Sequence, residues 1–124
     1  MEAVVALWVA CELTRPWNDT HRDIARKLAE AGAVIAVLDV DEESGPSTVA
    51  QLESKGVKAK FFHCDVRSNA DCAAAAKGVV DAFGKIDILC NNAGVARRKN
   101  VVDLAESDWD LAIDVTLKGV YMLS

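Results

Sequence analysis

Three groups of polar or small residues, each standing directly after an apolar run, are the places where this sequence could do chemistry. Asp39 follows Ala33-Val34-Ile35-Ala36-Val37-Leu38, Asp65-Val66 follows Lys60-Phe61-Phe62-His63-Cys64, and Asn91-Asn92-Ala93-Gly94 follows Ile86-Asp87-Ile88-Leu89-Cys90. A carboxylate at the first place can accept hydrogen bonds from the hydroxyls of an adenosine ribose. It would also repel a phosphate on that ribose, at a cost on the order of 4 kcal/mol for a like-charge pair at 4 Å and an effective dielectric near 20. Asp39 therefore favours NAD(H) over NADP(H). Two carboxamides ending an apolar run, with a glycine just beyond, make a site-building turn, because a residue without Cβ lets the backbone turn or come close to a ligand. Taken singly, Asp39 also reads as a helix cap or a solvated aspartate, and Asp65-Val66 as a turn.

The elements that hold these residues follow from the apolar pattern. Runs over residues 4–10, 33–38, 59–63 and 86–90 predict strands, rich in Val, Ile, Leu or Phe. Between them the period lengthens to that of a helix. Over 20–31, Ile24, Ala25, Leu28 and Ala29 form one stripe, Thr20 with Asp23 resembles a capping box, and Gly32 suits a C-terminal cap. Over 44–55, Val49 and Leu52 face inward, Pro46 is confined to the first turn, and Gly56 closes the helix. Over 69–83, a helix starts from Ser68 with Asp71 three residues on, presents Cys72, Ala76, Val79, Val80 and Phe83, and ends at Gly84. A last helix from about Ser107 carries Trp109, Ile113, Leu117, Val120 and Tyr121. Strands alternating with helices predict a doubly wound α/β fold, a parallel sheet of about four strands with helices on both faces. In such a sheet ligands bind beyond the carboxyl ends of the strands, where the three groups lie.

Composition narrows the partners. The chain has 124 residues, 52% of them hydrophobic, which is enough for one domain with a sizeable core. No apolar run approaches the ~20 residues a membrane-spanning helix needs, so no membrane partner is expected. Residues 3–11 follow Glu2 rather than basic residues and read as a first strand, not a signal peptide. A formal net charge of −5 argues against nucleic-acid binding, and Arg97, Arg98 and Lys99 are too few to reverse it. Cys11, Cys64, Cys72 and Cys90 match neither a zinc site nor a redox dithiol and read as small hydrophobes in a reducing, cytoplasmic setting. His21 and His63 have no companion at metal-ligand spacing, so no metal is expected.

With the three strand-end groups assembled, the segment from about Arg22 to Leu123 resembles the N-terminal half of a short-chain dehydrogenase/reductase. The resemblance implies a Rossmann-like dinucleotide-binding domain, partial over 1–124, and roles for the matching positions. Asp39 resembles the ribose-binding acid, Asp65 the residue that meets the adenine amino group, and Val66 the apolar wall beside that ring. Asn92, Ala93 and Gly94 resemble the turn over which the cofactor ribose passes, with Asn91 tying neighbouring strands together. Within Trp109 to Tyr121, Thr116 stands where the family usually has the asparagine of its catalytic tetrad.

Two departures from the family pattern bear on activity. The family's first turn carries a threonine and three spaced glycines, which let the pyrophosphate reach a helix N-terminus. The best ungapped match here is Thr14 to His21, with Arg15, Asp19 and His21 at the glycine positions; the alternative keeps the strand at 4–10 and inserts residues before the helix. Non-glycine residues in left-handed backbone cost ~1–2 kcal/mol each, so weak or absent NAD binding is expected. The family's catalytic serine and tyrosine-lysine pair find no match, since Tyr121 is the only tyrosine, and so no catalytic residue is expected. The expected function is the cofactor-binding portion of an NAD-preferring oxidoreductase acting on alcohol or carbonyl groups, catalytically incomplete as given. The alternatives are a residual nucleotide-binding module and a non-catalytic protein that pairs with full-length family members. The apolar residues of the 86–90 strand and the last helix predict self-association or binding to such members.

Overall fold

The computed structural model describes residues 3–8 and 20–124. The described residues form four strands and five helices, in the order β1 (Val4–Trp8), α1 (Thr20–Glu30), β2 (Val34–Asp39), α2 (Ser44–Glu53), β3 (Ala59–His63), α3 (Asn69–Phe83), β4 (Ile88–Cys90), α4 (Glu106–Ile113) and α5 (Gly119–Leu123). A 3-10 turn, Val101–Asp103, precedes α4, and a π-helical segment, Asp114–Lys118, joins α4 to α5. The sheet is parallel, in the order β3-β2-β1-β4, with Val4 opposite Val34, Ile35 opposite Ala59, and Val5 opposite Ile88. The chain thus winds outward from β1 to β3 and then crosses to the other side of β1. In open parallel sheets such a reversal of strand order marks where ligands bind, outside the carboxyl ends of the strands.

Two cores flank the sheet. On one face Ala33, Ile35 and Val37 pack with Leu52 of α2, Ala59 of β3, and Leu28 and Ala29 of α1. On the other, Val34, Ala36 and Leu38 pack with Cys72, Ala75 and Val79 of α3 and with Val115. Every residue of β2 is buried because both faces are covered, which is why its sequence is a continuous apolar run rather than an alternation. The doubly wound expectation is met.

Boundaries differ in informative ways. The strand expected over 86–90 spans only Ile88–Cys90, because the Asp87 side chain takes over the pairing: its Oδ2 accepts the Val4 N–H at 2.8 Å while its own N–H donates to the Val4 carbonyl at 2.9 Å. Lys85 Nζ, 2.9 Å from Asp87 Oδ2, balances the charge, and these bonds hold the Asp87 carboxyl below its ordinary range. α3 follows expectation at both ends, with Ser68 Oγ accepting the Asp71 N–H at 3.2 Å and Gly84 in left-handed backbone at φ 85°. Its inner face uses Ala75 in place of Val80, which is 44% exposed. Residues 9 and 10 of the first expected strand, Cys11, and the Thr14-to-Asp19 stretch of the glycine-poor turn lie outside the described residues.

Candidate functional site

The three groups read from the sequence all stand at the carboxyl edge of the sheet. Asp39, the last residue of β2, is 3% exposed, so its carboxylate is paid for by internal donors. The Asp41 N–H reaches Oδ1 at 3.1 Å and the Ser44 hydroxyl reaches Oδ2 at 3.3 Å. Asp41 Oδ1 in turn accepts the Glu43 and Ser44 N–H groups at 2.8 and 3.1 Å, so Asp41 caps α2 and its carboxyl is held below the usual range by those backbone bonds. Asp39 therefore buttresses the start of α2 and keeps acceptor capacity on each oxygen.

Beyond β3, Asp65 is engaged by Arg67. Arg67 Nε lies 3.0 and 3.1 Å from the two carboxylate oxygens, Nη2 lies 2.6 Å from Oδ2, and the Arg67 N–H donates to Oδ1 at 2.9 Å. The Arg67 bond holds the Asp65 carboxyl below its ordinary range, against partial burial. The backbone of Asp65 is pinned from the other side, its N–H donating to Asp71 Oδ2 at 3.1 Å. Val66 is 4% exposed and belongs to the core, and a Cβ on Gly119 would fall 2.9 Å from its Cγ2. Only glycine at 119 lets α5 lie this close to the β3 turn.

Beyond β4 the turn is tied to the π-helical segment. Thr116 Oγ1 accepts the Val95 N–H at 3.2 Å and donates to the Val95 carbonyl at 3.4 Å. Asn91 is exposed and its amide donates to the Ser124 hydroxyl at 3.4 Å, a contact to the end of α5 rather than between strands. Among the described residues Asn92 carries the one anomaly: its Nδ2 is buried and has no hydrogen-bond partner. Gly94 is buried against Thr116. The loop that follows is held to α4 by Asp108, which lies 3.4 Å from Arg97 Nε and 3.2 Å from Lys99 Nζ.

Sequence reading missed Arg67, Asp41 and the π-helical segment. Arg67 and Asp41 sit two residues from the carboxylates they serve, a spacing that no strand or helix period marks. Cys64 and Cys72 are in the core as expected, Cys90 is half-buried, and burial pushes the Cys72 and Cys90 thiols up, away from thiolate chemistry. Among the described residues no cluster of side chains could hold a metal ion, and no helix is long and apolar enough to cross a membrane.

Known proteins share this arrangement. A family model described as enoyl-(acyl carrier protein) reductase matches residues 22–124. A subunit of (2S)-[(R)-hydroxy(phenyl)methyl]succinyl-CoA dehydrogenase from Thauera aromatica is 37% identical over 101 residues, covering 82% of this chain and 41% of the relative. A short-chain dehydrogenase/reductase from Burkholderia phymatum, solved in complex with NAD, superposes with a TM-score of 0.86 at 27% identity, over 98% of this chain and 41% of that one. A point variant of actinorhodin polyketide ketoreductase, solved with NADPH, gives a TM-score of 0.86 at 28% identity, over 98% of this chain and 44% of that one. The chain thus spans less than half the length of each of these proteins.

Proposed function

The chain belongs to the short-chain dehydrogenase/reductase family, and from that membership we propose that residues 1–124 form a single partial Rossmann-like domain, the dinucleotide-binding portion of an oxidoreductase. The reading extends to NAD(H) over NADP(H), to substrates with alcohol or carbonyl groups, and to the cytoplasm. The observation that carries it is the buried, unpartnered Nδ2 of Asn92 in the turn that follows β4. A buried amide left without a partner costs about 1–3 kcal/mol, which an acceptor on a ligand bound at that turn would relieve. Asp39, Asp65, Val66, Asn92, Ala93 and Gly94 are the residues assigned to the cofactor.

Bound there, the nicotinamide ring would supply hydride transfer. Asp39 accepts from the adenosine ribose and sets the preference for a ribose without phosphate. Ala93 and Gly94 present a low wall, and Asn92 donates to an acceptor lying on it. Arg15, Asp19 and His21, in the register that puts them at the family's glycine positions, keep the affinity low. No residue of the 124 is assigned to proton transfer, so the chain alone binds cofactor without turnover.

Titrating NAD and NADP into the protein by calorimetry or ligand-observed NMR tests this. NAD should bind at least about tenfold tighter, a difference of 1.4 kcal/mol, and Asp39→Ala should abolish the preference. NADP binding as well as NAD would overturn the role of Asp39. A second reading, association with members of the same family, is favoured by the exposed apolar residues of α4, the π-helical segment and α5: Trp109, Ile113, Leu117, Val120 and Tyr121.

A further inference from the structure

The amino edge of the sheet, opposite the three strand-end groups, carries a cavity of about 400 Å3 that is open to solvent. Val4 and Val34, the first residues of β1 and β2, form its floor, and both are buried. The end of α3, Ala82 to Gly84, makes one wall, and Lys58 and Lys85, which precede β3 and β4, complete the lining. Gly84 is in left-handed backbone at φ 85°, and a Cβ there would meet nothing within 4 Å, so the space beside the helix end stays open. The two lysines differ in what holds them. Lys85 Nζ lies 2.9 Å from Asp87 Oδ2 and 3.1 Å from Oδ1, so its charge is matched. Lys58 Nζ stands over the Phe83 ring, 5.5 Å from its centroid, and has no carboxylate partner among the described residues. A ring holds an exposed ammonium weakly and leaves its N–H donors unused. The cavity thus sets one unmatched positive charge above an apolar floor. The carboxyl end of α3 adds a partial negative charge of its own, which favours a ligand with a single negative charge over a dianion.

We infer that this cavity is a second binding site, which takes a monoanion with an apolar body: an aryl or acyl carboxylate of moderate size. At ~30 Å3 of liquid volume for each heavy atom, the cavity accommodates about thirteen of them. The carboxylate accepts from Lys58 Nζ and from an N–H of Lys85 that Asp87 does not use, while the body covers Val4, Val34 and Ala82. Phe83 positions the Lys58 ammonium. The cavity is removed from the carboxyl edge by the length of a five-residue strand, ~17 Å. Its occupancy is therefore independent of any dinucleotide.

The test titrates 2-naphthoate, a planar carboxylate of that size, and its neutral isostere 2-naphthamide into the full chain labelled with 15N. Naphthoate should bind with a dissociation constant below about 1 mM and about 3- to 5-fold tighter than naphthamide, the range of an exposed ion pair. It should shift the amide signals of Val4, Val34, Lys58 and Gly84. Lys58→Gln should erase the preference for the anion and Lys58→Glu should reverse it. Lys118→Gln, the same change in net charge placed on the π-helical segment, should leave it intact. Neither inorganic phosphate at equal concentration nor saturating NAD should displace naphthoate. No binding at several millimolar, equal binding of the two probes, shifts confined to the exposed apolar residues of α4 and α5, or an equal loss in Lys118→Gln would overturn the site. Displacement by phosphate would overturn it too, by showing a general anion site. If naphthoate binds as described while NAD does not bind at all, the cofactor reading falls and this site stands.

Discussion

A Cβ added at Gly94 would lie 3.7 Å from Thr116 Oγ1, an ordinary contact, and Gly94 is not among the glycines with left-handed backbone, which are Gly32, Gly56 and Gly84. The fold therefore has no need of glycine at 94, and the expected sharp turn is not what the residue supplies. On the function proposed above, the use left to it is close approach of the cofactor. Gly94→Ala adds a methyl that meets only an ordinary contact in ordinary backbone, so it should leave stability unchanged or raise it by about 0.4–1 kcal/mol, and yet weaken NAD binding several-fold; unaltered binding in an NMR titration would remove Gly94 from the site. Asp39 and the Asn91–Gly94 turn were legible because they end apolar runs. Arg67 was not, since what it does depends on a bidentate geometry that residue order does not disclose.

At the scale of elements, apolar runs located the strands, and a stripe with end caps located α3, because both are written locally. Periodicity did not locate the π-helical segment. Trp109, Ile113, Leu117, Val120 and Tyr121 fit a continuous helix, but the Gly119 N–H donates to the Asp114 carbonyl, five residues back, which widens one turn. The widened turn carries Thr116, bonded to Val95, and Gly119, against Val66. One segment thus braces the turns after both β3 and β4. Gly119→Ala would overpack that contact and should cost about 1–3 kcal/mol, read from urea unfolding. A wild-type midpoint would show that α5 does not press on the β3 turn. β4 was misjudged at its start for a related reason: a side chain, Asp87, replaces backbone pairing, and hydropathy does not register that exchange.

For the molecule as a whole, the helical layer over α3 is unevenly covered. Leu111, Val115, Met122 and Leu123 face the core, while Trp109, Leu117 and Tyr121 are 56%, 66% and 78% exposed. β4 pairs only with β1 among the described residues, leaving its other edge open. An apolar face beside an open strand edge favours association. Light scattering at tens of micromolar should report a dimer or larger species, and a monomer that binds no hydrophobic dye would contradict this. The Val4–Asp87 bond bears on how the sheet comes together in time. It joins residues 83 apart in sequence, whereas β2, α2, β3 and α3 succeed one another through short connections. Closing a long loop costs more entropy than closing a short one, and non-local pairing slows folding. Of the four described strands, β1 is therefore enclosed last: one of its sides stays bare until β4 has formed.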